Sequence, residues 1–119
     1  MNGNNTLNIP ELAERLDGDF DLFLELSELF FEDSAALLNK IEDSIKNKDS
    51  DALRKSAHTL KGAVSNFSAQ KAYDAAYELE MAGKDNIMDS ADKKLDTLKN
   101  EIAEVINAMK LLASKKSFS

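Results

Sequence analysis

The sequence predicts an all-α protein, an antiparallel up-down-up-down four-helix bundle with a short additional N-terminal helix across one end. Three observations predict it. Apolar residues recur at steps of three and four through most of the chain, the spacing of one helix face. Only four glycines and one proline interrupt 119 residues. Glu, Lys, Leu and Ala, all good helix formers, are abundant. No alternating, strand-like stretch competes.

The elements follow in order. Pro10 suits a first helical turn, where its missing N–H has no partner to lose. Ile9, Leu12, Ala13 and Leu16 mark a short helix that stops at Asp17-Gly18. A long helix is predicted from Asp19 to Asn47, with Phe23, Leu26, Phe30, Leu37, Ile41 and Ile45 as its core stripe. Asp49 or Ser50 is positioned to cap a third helix by accepting a backbone N–H. Leu53, Ala57, Leu60, Val64 and Phe67 are its inward face. Ser68 is the expected cap of a fourth helix carrying Ala72, Ala76 and Leu79, and Gly83 its expected stop. The last helix spans about Ser90 to Ala113, with Ala91, Leu95, Leu98, Ile102, Val105, Met109 and Leu112 at alternating steps of four and three. One domain, residues 9–113, is expected. Residues 1–8 and 114–119 read as polar, flexible tails.

Composition narrows the function. The formal net charge is −7, so phosphate backbones repel the chain and nucleic acid is not an expected partner. Without cysteine there are no disulfides and no thiolate metal sites. No apolar run approaches the ~20 residues that cross a bilayer. Met1–Thr6 has neither a basic start nor an apolar stretch, so no secretory signal is read there and a cytoplasmic location is expected.

Against this acidic background, residues 52–72 hold no Asp or Glu, while Arg54, Lys55, Lys61 and Lys71 supply four positive charges. The only histidine, His58, lies inside that island. Helical rotation places His58, Lys61, Gly62 and Ser65 together, with Arg54 one turn earlier. The imidazole should therefore point away from the core. A nucleophilic imidazole must be neutral with one nitrogen free. Arg54 and Lys61 can pair with a phosphoryl of roughly two negative charges, and Ser65 can donate to one of its oxygens. Glycine inside a helix costs about 1 kcal/mol relative to alanine. One turn beyond the histidine, Gly62 removes a side chain that would shield the ring. Taken singly, each residue reads as ordinary surface; the combination points to an anion perch.

Ala57-His58-Thr59-Leu60-Lys61-Gly62-Ala63, followed by Leu79-Glu80, resembles the signature of histidine-containing phosphotransfer (HPt) domains. The resemblance spans nearly the whole chain. It implies a four-helix bundle and a phosphorelay intermediate of two-component signalling. His58 would accept phosphoryl on Nε2 from a receiver-domain aspartate and pass it to another. Lys61 would help bind the phosphoryl, Gly62 would open access, and Glu80 would match the residue on the next helix that orients the ring. The family often has glycine in the turn after Asn66-Phe67, where this chain has Ser68-Ala69.

The expected partners are response-regulator receiver domains or a hybrid histidine kinase. No cofactor is expected in this chain; magnesium is expected in the receiver. No Gly-rich phosphate loop is present, so the chain reads as a phosphocarrier without autonomous catalysis. A monomer is the expected state. Phe20, Leu24, Phe31, Ala35 and Leu38 form a second apolar stripe on the long helix. Leu12, Leu16, Phe20 and Leu24 are the resulting candidates for partner docking. The alternative is an HPt-like interaction module that binds receivers or kinases without carrying phosphoryl. A metal-dependent bundle enzyme fits poorly, because a Glu-x-x-His pair on two helices needs a second histidine. No metal ligands are therefore assigned.

Overall fold

The computed structural model describes residues 6–119. Five helices follow one another: α1 (Ile9–Arg15), α2 (Phe20–Lys46), α3 (Ser50–Ser65), α4 (Gln70–Lys84) and α5 (Ala91–Lys115), with no strand among the described residues. Helices α2 to α5 pack in a ring, each against its chain neighbours, and α2 closes the ring on α5. This is the up-down-up-down bundle. Its long axis is 43 Å, which α2 nearly spans, since 27 helical residues measure about 40 Å.

Side-chain caps start the first three helices. Asn8 accepts from the Glu11 N–H at 3.1 Å, Asp19 from Leu22 at 3.0 Å, and Asp49 from Ala52 at 3.1 Å. Each satisfies an N–H that the helix cannot. Ser68 does not cap α4 as expected. The helix begins after Ala69 without a side-chain cap, and Ser68 adopts a left-handed φ of 55°. The residue serves through its backbone instead: its carbonyl accepts from the Asn8 N–H at 3.0 Å, which ties α1 to the α3–α4 turn. The Ser68 hydroxyl is buried and has no hydrogen-bond partner. A left-handed φ disfavours residues with a Cβ by roughly 1–2 kcal/mol, which is the physical reason glycine suits this turn. Ser68→Gly is therefore expected to stabilise the fold by about 1 kcal/mol, read as a higher denaturant midpoint.

The core follows the predicted stripes on α3, α4 and α5. On α2 it differs. Leu26, Leu37 and Ile45 are only half-buried, while Ser27, Ser34 and Ser44 are buried. Ser27 and Ser44 return their hydroxyls to Phe23 O and Lys40 O, both at 2.7 Å. A serine so satisfied occupies a tight interface at little cost, and a purely apolar periodicity passes over it.

The packed unit is longer than 9–113 at both ends. Leu7 is buried in the core, and α5 continues to Lys115. Phe118 then folds back, its ring 5.0 Å from Phe20 and 5.7 Å from Phe23. With Phe67 and Phe30, these rings seal the end of the bundle that α1 covers. The part of the N-terminal tail at residues 1–5 lies outside the described residues.

Gly83 does not stop α4 either. It sits inside the helix, buried against α3. A Cβ there would lie 2.6 Å from Ser50 O and 2.7 Å from the Arg54 nitrogen. The two backbones touch at this point. Ala72 and Ala76, both buried, lie within about 20° of Gly83 around α4 and continue the same small-residue seam.

Candidate functional site

That seam positions the site. Gly83 packs on Arg54, so Glu80, one turn earlier on α4, comes level with His58, one turn later on α3. His58 Nδ1 lies 2.9 Å from Glu80 Oε2. A carboxylate only accepts, so Nδ1 carries the hydrogen and donates it. In the neutral ring Nε2 then keeps its lone pair, the state a nucleophile needs. The His58 side chain is 64% exposed, whereas Glu80 beneath it is 16% exposed. The orienting group is held in the protein and the ring is presented to solvent.

Lys61 is less free than its spacing implied. Its side chain is 16% exposed, and Nζ lies 2.7 Å from Glu80 Oε1. The contact is an ion pair without the alignment of a directed hydrogen bond. The ammonium also lies over the rings of Tyr73 and Tyr77, 5.6 and 5.4 Å from their centroids. These tyrosines escaped the sequence reading. Their signal is present nonetheless: Tyr73, Tyr77 and Glu80 occupy positions i, i+4 and i+7, one face of α4.

One carboxylate therefore bridges the imidazole and the ammonium. Burial is the largest influence on Glu80 and pushes its carboxyl up. Lys61 and His58 together outweigh that and hold it below its ordinary value of 4.5. Contact with Glu80 holds Lys61 above its ordinary value of 10.5 despite some desolvation. The bridge thus stabilises the fold above the normal carboxylate range and below the normal lysine range. It is lost as pH falls through the depressed carboxyl value, or rises through the elevated ammonium value. The melting temperature of the native chain should exceed that of Glu80→Gln between those limits. The gap is expected to narrow as pH falls below 4.5 and to close once it has passed the depressed carboxyl value; a gap that persists in strong acid would contradict the bridge.

The remaining cations are mostly committed. Arg54 Nη2 and Lys55 Nζ both pair with Asp51, at 2.9 and 3.1 Å, just outside the acid-free stretch. Lys71 is exposed and has no ion pair among the described residues. The Ser65 hydroxyl donates to Gly62 O at 2.9 Å. Arg54 and Ser65 border the site but neither is poised on the ring in this state.

At Gly62, a Cβ would meet nothing within 4 Å. The space above the helix is open, beside the imidazole. Gly62→Ala should fit the free chain and raise its stability by about 1 kcal/mol through helix propensity. Gly62→Gln places a long side chain in the approach to Nε2. Phosphotransfer is expected to fall by ~100-fold, since small displacements of reacting groups cost that much. A rate assay paired with a melt checks both; equal rates would deny the glycine its access role.

The docking candidates separate. Leu12 is fully buried and cannot contact a partner. Phe20 is half-buried under Phe118. Leu24 is exposed but lies about 160° around α2 from Leu26. Of the four, Leu16 alone reaches the open groove between α2 and α3, whose walls include Leu26, Leu29, Asp33, Ala63 and Asn66. Leu29, 57% exposed, is its most prominent apolar side chain.

Among the described residues no three His, Asp or Glu side chains converge as a metal-binding group, and no helix is long and apolar enough to cross a membrane.

The fold agrees with comparisons to known proteins. The fold is similar to the crystal structure of histidine-containing phosphotransfer protein B (HptB) from Pseudomonas aeruginosa PAO1. The TM-score is 0.86 and the identity 25%, covering 92% of this chain and 96% of that one. It is also similar to the HPT domain of a sensor hybrid histidine kinase from Shewanella. There the TM-score is 0.78 and the identity 20%, over 93% and 96% of the two chains. No curated protein matches the sequence. The Hpt domain model matches residues 25–108, most of the bundle and all of the His58 constellation, and the chain therefore belongs to the Hpt domain family.

Proposed function

We propose that this chain is a phosphorelay intermediate in which His58 takes a phosphoryl group from a receiver-domain aspartate and hands it to another. The observation that carries this reading is the contact of His58 Nδ1 with Glu80, which leaves Nε2 of an exposed ring free beside the open space over Gly62. The Nε2 lone pair attacks phosphorus as the bond from phosphorus to the aspartyl oxygen breaks. The aspartate leaves with the bonding pair and regains its carboxylate. Positive charge then develops on the ring, and the Glu80 carboxylate accepting from Nδ1–H stabilises it. Reversal onto a second aspartate completes the relay.

Lys61 is the cation nearest to hand for the new phosphoryl. To reach it, the ammonium must loosen its hold on Glu80, a short movement for a flexible four-carbon stem. The chain offers a positioned nucleophile. The divalent metal that such transfer uses belongs to the receiver's aspartate site. The partner meets the His58 face along the groove of Leu16, Leu26, Leu29 and Ala63, which shares α3 with Gly62.

The test is incubation of the native chain with phosphorylated receiver domains from its source organism, followed by mapping of the label. Acid-labile, base-stable phosphate in the peptide containing His58 is the expected outcome. Label on any other residue, or transfer from none of the receivers, overturns the reading.

A further inference from the structure

The net charge is distributed unevenly, and the unevenness lies beside the groove. Residues 16–39 contain seven of the 22 acidic residues and no Lys or Arg. The rest of the chain therefore holds 15 acids against 15 cations, and the formal charge of −7 resides wholly in this stretch. On α2, exposed Leu29 is bracketed by Glu25 one turn before it and by Glu32 and Asp33 one turn after. All three acids are exposed, and none is ion-paired among the described residues. Asp33 lines the groove itself, and the one cation in its lining, Arg15 at the α1 end, is paired with Glu11 at 3.8 Å. The α3 wall opposite presents Ala63 and Asn66, which carry no charge.

We infer that the groove between α2 and α3 accepts an amphipathic receiver helix whose apolar stripe seats against Leu26 and Leu29 and whose α2-facing edge carries lysine or arginine. This rests on the phosphorelay reading and names the chemistry of its partner. Charge complementarity decides the occupant. An unpaired carboxylate ridge along one rim repels a partner helix with an acidic edge and attracts one with a basic edge, and such juxtapositions govern specificity and encounter rate. The same ridge disfavours a second copy of this chain, which would bring an identical ridge against it. It equally disfavours an anionic lipid surface. The ridge lies along one wall only, so it also sets the direction in which the helix lies and hence which way the receiver's aspartate faces His58.

The experiment uses the full chain and a phosphorylated receiver domain that labels it. The specificity constant kcat/KM for transfer is measured from low to high salt. For the native chain it should fall several-fold as salt screens the ridge. Glu25→Lys combined with Glu32→Lys should lower it about tenfold at low salt with kcat unchanged, and should abolish the salt dependence. The neutral pair Glu25→Gln and Glu32→Gln should fall between. Asp96→Lys with Glu104→Lys makes the same change in net charge on α5, across the bundle from α3, and should stay within about twofold of native. If both lysine pairs behave alike, or if the loss lies in kcat, the inference fails while the relay stands. If no receiver labels the native chain, the relay reading fails and takes the inference with it.

Discussion

Replacing His58 with glutamine is expected to abolish acid-labile phosphorylation and leave the fold intact. The functional half follows from chemistry. An amide nitrogen has no available lone pair, and no other histidine exists in the chain. Transfer should drop below detection, a loss on the order of a thousandfold or more, as for removal of an essential nucleophile. The structural half follows from exposure. The imidazole is mostly solvated, so little apolar area is lost. A glutamine amide can still donate to Glu80, and the Lys61 ion pair with Glu80 is untouched. Stability should change by under about 1 kcal/mol, the usual range of an exposed polar exchange. Binding of the unphosphorylated receiver should persist. Retained binding with lost transfer separates a relay from a module that only docks; retained transfer would remove His58 from the mechanism.

Gly83→Val is expected to be the most damaging substitution to the scaffold, although Gly83 touches no reacting group. The first added atom already lies 2.6 Å from Ser50 O and 2.7 Å from the Arg54 nitrogen. Those neighbours are backbone and cannot swing aside, so α3 and α4 must part. Overpacking a tight core costs about 1–3 kcal/mol, and a branched side chain against backbone belongs at the upper end. In a bundle of this size that corresponds to a fall in Tm of about 10 °C or more. The seam also brings Glu80 level with His58, so the hydrogen bond between them should lengthen. Slower transfer per folded molecule should accompany the lower Tm. A variant that melts like the native chain would show that the helices are not in backbone contact there.

The two glycines inside helices show where a linear reading stops. Gly62 and Gly83 look alike in sequence, and each costs its helix about the same. One faces open space and the other faces a backbone. Gly62 was legible because its separation from His58 has a meaning within a single helix. Gly83 was read as a stop, because its neighbour is a residue nearly thirty positions earlier, on another helix. The same limit hid the tyrosines. Lys61 was expected to wait for phosphate, yet Glu80, Tyr73 and Tyr77 hold it from across the α3–α4 interface. Arg54 was expected to face the site and is drawn back by Asp51, one residue outside the acid-free stretch.

Periodicity and turn chemistry were enough for the all-α bundle, its helix order and the outward face carrying His58, because they are local properties that every helix expresses before it packs. Docking candidates drawn from a second apolar stripe divided between core and surface, since a stripe does not reveal which flank a neighbour covers. Leu12 went into the core and Phe20 under Phe118, while Leu26 and Leu29 came to line the groove. Which side chains meet, which stay open and which charges cancel are set by distances between helices. Those distances depend on small residues at crossing points, and only the folded chain brings the crossing points together.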